Sequence, residues 1–151
     1  MPEENIGKGT AGAEQPGWSS MVQTVFRGSV SEVRVLLARG AVASARSPEG
    51  WPLLHYAVMG GNAEVVNLLM EAGADVNAPT PDGVTPLLNA IEWGYVGIVK
   101  ALLDQGANPN VPDKYGRTPL KIAAAHSQTD IVALLQGAAN QERTKRVVHQ
   151  T

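Results

Sequence analysis

The chain has 151 residues, 44% of them hydrophobic and 17% charged, with a formal net charge of −2. A chain of this length can bury a core as one domain, and its weak negative charge argues against general affinity for nucleic acid or an anionic membrane. Zero cysteines exclude disulfides, thiolate metal sites and a cysteine nucleophile. No apolar run approaches the roughly 20 residues that span a bilayer. The opening MPEENIGKGTAG has no apolar core of a secretory signal, so a cytoplasmic chain is expected.

Residues 1–16, rich in Glu, Gly, Ala and Pro, have little to bury and are expected to form a disordered tail. Within them GKGTAG, at Gly7 to Gly12, formally matches G-x-G-x-x-G. A phosphate loop needs a strand before it and a helix after it, and the sequence offers neither. No cofactor is therefore expected.

From residue 17 onward the chain repeats. Gly50, Gly83 and Gly116 are 33 residues apart, as are Gly40, Gly73 and Gly106, and Gly28, Gly61 and Gly94. Apolar columns keep the same step: Val65, Ile98 and Ile131; Val33, Val66, Val99 and Val132; Leu36, Leu69, Leu102 and Leu135. Four tandem units follow, at about residues 17–49, 50–82, 83–115 and 116–140.

The second unit shows the plan. Pro52 suits the first turn of a helix that runs to about Met59 and stops at Gly60-Gly61. A second helix is predicted over residues 62–71, with Val65, Leu68 and Leu69 on one buried face. Gly73 stands where a left-handed residue ends that helix, and Pro79, Pro81 and Asp82-Gly83 make the connector turn-rich. One such unit cannot bury its own apolar face, so the units must stack as a solenoid. At the ends, Glu32 replaces Val65 or Ile98, and Gln136 replaces Met70 or Leu103, as capping units require. Residues 141–151, QERTKRVVHQT, read as a tail or an extension of the last helix.

These residues resemble the ankyrin repeat. DKYGRTPLKIAAA from Asp113, GVTPLLNA from Gly83 and GWPLLHYA from Gly50 match the turn and first helix of that family. EVVNLLMEAGADVNA from Glu64 and GIVKALLDQGANPNV from Gly97 match its second helix and loop. The resemblance implies an all-α solenoid of helix-turn-helix units with projecting β-turn or hairpin connectors. Two departures stand out. The turn Asp survives only as Asp113, with Ser47 and Thr80 in its place, and short hydroxyls can still bond the turn backbone. The motif His, which braces adjacent turns in the family, survives only as His55; Leu88 and Lys121 replace it.

No catalytic or metal centre is visible. His55, His126 and His149 lie in separate segments without ligand spacing, nothing resembles a nucleophile elbow, and acids such as Glu64, Glu71, Glu92 and Asp104 fall on helical surfaces. RTKR at Arg143 to Arg146 is read as part of a solvated, locally basic tail.

The family's turn tips and first helices line a concave groove that varies with the partner. Carried over by register, the partner-binding residues here are Trp51 and Met59; Val84, Glu92, Trp93 and Tyr95; Tyr115, Arg117 and His126; with Trp18, Phe26 and Arg27 from the first unit. The chain has only seven aromatics, and all but Tyr56 fall on or beside this groove. The competing reading makes Trp18 and Phe26 the closure of the degenerate first unit and packs Trp51 on a neighbouring turn.

The expectation is a monomeric, non-enzymatic module that binds another protein, with neither nucleic acid nor membrane as partner. The alternatives are an ankyrin-type inhibitor of cell-cycle kinases, or a non-catalytic subunit or fragment of a larger assembly. The kinase-inhibitor group shortens the first helix of its second repeat, whereas residues 52–59 read as full length.

Overall fold

The computed structural model describes residues 17–150, so the expected N-terminal tail and its glycine-rich stretch lie outside the described residues. The helices come in four pairs: α1 (Trp18–Arg27) with α2 (Val30–Ala38), α3 (Leu53–Gly60) with α4 (Ala63–Glu71), α5 (Pro86–Trp93) with α6 (Val96–Asp104), and α7 (Pro119–Ala125) with α8 (Thr129–Gln150). First helices stack in one row, α1 on α3 on α5 on α7; second helices stack in another, α2 on α4 on α6 on α8. The core runs between the rows. Leu53, Leu54, Ala57 and Val58 enter it from α3, and Leu87, Leu88, Ala90 and Ile91 from α5. The Val65, Ile98 and Ile131 column is buried, as are Leu69, Leu102 and Leu135. Glu32 and Gln136, the polar substitutes at the two ends, are both exposed.

Local chemistry sets the helix ends. Thr85 and Thr118 cap α5 and α7, each side-chain oxygen accepting the N–H of Leu88 or Lys121 at 3.2 Å, with Pro86 and Pro119 opening the helix behind them. Asn62 caps α4, accepting from Glu64 at 2.9 Å and Val65 at 3.4 Å. The second unit departs from its expected plan. Pro52 is not in the first helical turn; it is the N-cap itself, with φ −65° and ψ 145°. By register it holds the place of Thr85, so α3 begins without a side-chain cap.

After α4 and α6 the chain reverses at Gly73 (φ 107°) and Gly106 (φ 93°), as the spacing predicts. At the C-terminus the segment after residue 140 continues α8 without a break to Gln150. Among the described residues no helix is long and apolar enough to cross a membrane.

Leu102→Ala is expected to lower unfolding free energy by about 2–5 kcal/mol through lost burial and a residual cavity, read by chemical denaturation. Gly73→Val is expected to cost about 1–3 kcal/mol. Open space surrounds that position, so the loss measures backbone strain rather than a clash. An unchanged denaturation midpoint would mean the chain can leave α4 by another backbone path.

Candidate functional site

Three connector turns project from the stack at a 33-residue interval and are built alike; they are numbered second, third and fourth after the helix pair each leads into. The N–H groups of Ser47, Thr80 and Asp113 donate to the carbonyls of Trp51, Val84 and Arg117 at 2.8, 2.9 and 3.0 Å. The side-chain oxygens of the same three residues accept the N–H of Trp51, Val84 and Arg117 at 3.1, 3.1 and 2.9 Å. Hydroxyls therefore replace the carboxylate in two turns. Asp113 does more: it also accepts the Tyr115 N–H at 2.9 Å and holds Arg117 Nε at 2.7 Å. Bonds to an ionised acceptor are roughly twice as strong as neutral ones, so the fourth turn is the most firmly organised.

Neighbouring turns are tied by different means. The Arg46 guanidinium donates to the carbonyls of Gly50 and Pro79, both at 2.9 Å, joining the second turn to the third. His55 Nε2 donates to the Val84 carbonyl at 2.7 Å. Because a carbonyl only accepts, that bond fixes the proton on Nε2. Burial pushes the ring's pKa down to about 4; the Val84 bond opposes this, and the Arg46 charge adds to it. Leu88 offers no such bond. The fourth turn is held instead by ion pairs, Lys114 to Asp82 of the third turn at 3.1 Å and Arg117 to Glu92 on α5 at 3.6 Å. Both are exposed, and such pairs contribute about 0–1 kcal/mol each.

The ends of the first helices supply the rest of the face. Trp93, the last residue of α5, is 56% exposed. Its ring lies almost parallel to Tyr95, with 6.3 Å between centroids and 10° between planes. Tyr95 in turn lies against Gly61 of the preceding unit. One period before Trp93 stands Gly60, which passes so close to the Phe26 carbonyl that no Cβ fits there. Phe26 is 51% exposed, and Met59, which precedes Gly60, is half-buried. Arg27 reaches Glu32 at 4.0 Å. Tyr115, 71% exposed at the fourth turn tip, has Lys114 Nζ at 5.2 Å and Arg117 Cζ at 5.6 Å from its ring centre. Arg117 and His126 flank a shallow hollow on α7, and Val84 is half-buried on the third turn.

Two of the expected aromatic residues sit differently. Trp18 is only 6% exposed, with its edge toward Tyr56 at 5.9 Å, so its ring closes the first unit and is not presented on the face. Trp51 is half-buried and packs on His55 at 5.9 Å and Tyr56 at 6.3 Å. A large ring gains most by covering its neighbours, and here Tyr56 lies within reach of both. The register also hides a column that the motif reading passes over. Asn62, Tyr95 and Gln128 are 33 residues apart, and each reaches back one unit. Asn62 donates to the Gly28 carbonyl at 3.1 Å, Gln128 donates to the Ile91 carbonyl at 2.9 Å, and Tyr95 covers Gly61. The common spacing was the signal. Among the described residues, no group of three or more His, Asp or Glu is placed to hold a metal ion.

A family model described as ankyrin repeats (3 copies) matches residues 5–80 and again residues 75–145. No curated protein matches the chain.

The His55 geometry gives a pH test. Its folded pKa lies below the usual 6.5, so the unfolded chain binds the proton more readily. The stability that neutral His55 contributes is complete above about pH 6.5 and is lost as pH falls toward 4, by about 3 kcal/mol at the lower end. His55→Leu, which copies Leu88, is expected to flatten that slope in urea titrations across the window. It also removes one bond to Val84, whose carbonyl keeps the Thr80 N–H. An identical slope in wild type and variant would assign the proton uptake to another group.

Proposed function

The chain belongs to the ankyrin repeat family, whose repeats are generally protein-interaction modules, and from that premise we propose that it binds another protein through the face formed by its turn tips and first helices, without catalysis. In this reading the binding unit is residues 17–140, acting as a monomer in the cytoplasm. The net charge of −2 favours a protein over nucleic acid or an anionic membrane as its partner.

One observation carries the proposal. Trp93 leaves 56% of its surface in water although one ring face is already packed on Tyr95. Trp is the residue type most enriched among interface hot spots, and hot spots cluster near the centre of a contact patch. Trp93 ends the first helix of an inner unit, with units on both sides. Met59, Val84, Glu92, Tyr95 and Arg117 are its neighbours in the register. Phe26, Arg27, Tyr115 and His126 extend the face to either end, and half-buried Trp51 contributes its rim.

The narrower reading as an inhibitor of cell-cycle kinases gains no support from α3, which has eight residues, the same as α5. No feature of the fold favours the subunit or fragment reading over a free-standing module.

Trp93→Ala is expected to weaken partner binding by about 2 kcal/mol or more while unfolding free energy changes much less. The two are measured on one preparation, by chemical denaturation and by quantitative affinity capture with mass spectrometry beside wild type. A large stability loss, with capture restored once folded protein is counted, would make Trp93 a packing residue and remove it from the site.

A further inference from the structure

The charges of this face are unevenly committed. Asp82 engages Lys114, Asp113 engages Arg117 Nε, and Glu92 stands 3.6 Å from another Arg117 nitrogen. Lys121 differs. Among the described residues its ammonium has no ion-pair or hydrogen-bond partner, and neither has the ring of His126. The register explains why Lys121 is free. It holds the position of His55 and Leu88, whose side chains are buried. His55 spends its polar atom on the turn of the following unit, and no such turn follows α7 among the described residues.

Lys121, Arg117 and His126 surround a hollow of about 240 Å³ with Ile122 and Ala125 in its lining. Ile122 is buried and supplies an apolar floor. Nitrogen donors around an apolar floor, with no acid to neutralise Lys121, match a carboxylate on a short aliphatic stem. One period back along the same columns, Glu92 and Trp93 stand where Ala125 and His126 stand here. Packed helices lie about 8–10 Å apart. An extended segment advances about 3.3 Å per residue, so one crossing this row moves from Trp93 to the hollow in about three residues.

We propose that the hollow on α7 is a carboxylate-binding subsite, in which the partner protein places an Asp or Glu against Lys121 and Arg117, about three residues along an extended segment from an apolar side chain packed on Trp93. The inference rests on the reading of this face as the interaction surface and adds the chemistry of what it takes. Arg117 is already organised by Asp113, so its remaining nitrogen is presented with little loss of freedom. Glu92 is its internal competitor. The pair at 3.6 Å is loose enough to be exchanged for an incoming carboxylate.

The test selects a random peptide library displayed on phage against the full chain, then titrates the recovered peptides, made synthetically, by fluorescence anisotropy. Recovered peptides are expected to carry an acid about three residues from an apolar residue. Lys121→Glu is expected to weaken them about tenfold or more, and Lys121→Gln by less, both with an unchanged unfolding midpoint. Glu92→Gln is expected to tighten binding. Replacing the peptide's acid by its amide is expected to cost wild type several-fold and Lys121→Glu almost nothing, a non-additive cycle that isolates the pair. Peptides without acids that bind wild type and Lys121→Glu equally, yet fail on Trp93→Ala, would overturn the subsite and leave the face standing. Peptides indifferent to both Lys121→Glu and Trp93→Ala would overturn both. Failure to recover any peptide above an unrelated control protein would overturn the subsite.

Discussion

The fold depends on contact between one unit and the next. No helix pair has a core of its own; Leu54 and Val58 on α3, and Leu87 and Ile91 on α5, are buried because another first helix lies on each side. The polar groups follow the same rule. Asn62 satisfies the Gly28 carbonyl, Gln128 that of Ile91, His55 that of Val84 and Arg46 that of Pro79, each across a unit boundary. In the loops behind α4 and α6, the Asn77 side chain accepts the Asn108 N–H at 2.8 Å. A buried polar group left without such a partner costs about 1–3 kcal/mol, so the interface between units is specified as well as attractive. Apolar columns would permit stacking in several registers. These bonds are satisfied in one.

That arrangement makes the ends of the stack chemically unlike its middle. At one end Glu32 takes a column position that is apolar in the inner units, and Trp18 folds inward onto Tyr56. At the other, Leu120 is 41% exposed where its equivalents Leu54 and Leu87 are buried, and Lys121 projects where His55 makes a bond. A residue's environment is therefore set by its column and by its distance from the end together. The column Trp18, Trp51, Val84 and Arg117 runs from buried through half-buried to exposed along the stack. The chain places its largest rings where that column is covered and its cation where it is open.

This explains what could be read in the sequence and what could not. The period, the helix pairs and the left-handed glycines were legible because they are local or recur at fixed spacing. The hydroxyl turns were legible too, since Ser47 and Thr80 need reach only four residues along the chain. Trp-Pro-Leu-Leu resembles Thr-Pro-Leu-His, but counted against the 33-residue register Pro52 falls one position earlier than that match implies. Trp18 belongs by register to a groove column, but its burial depends on Tyr56 in the next unit. The Gly60-Gly61 pair ends α3 as the sequence implies, and the missing side chain of Gly60 has a second role in letting α3 approach Phe26. The Trp18 and Gly60 contacts lie between units, which spacing locates but does not evaluate.

The exposed aromatics differ in how far the neighbouring unit fixes them. Tyr115 shows more of its surface than Trp93, 71% against 56%, and exposure alone would make it the stronger anchor. Its ring, however, already has two cations near it, Lys114 and Arg117, and such contacts contribute about 0.5–1 kcal/mol at exposed sites. A partner that covers Tyr115 must displace or desolvate those charges. Trp93 carries no such obligation. Its inner face rests on Tyr95, and Tyr95 rests on Gly61, whose lack of a side chain lets the ring approach closely. Stacking on one side limits the orientations of the indole before any partner arrives, so less rotamer entropy is lost on docking. Among the described residues its other face has no ring or cation contact to give up. On the proposed face we therefore take the less exposed ring as the better anchor, because its position is fixed by the unit behind it.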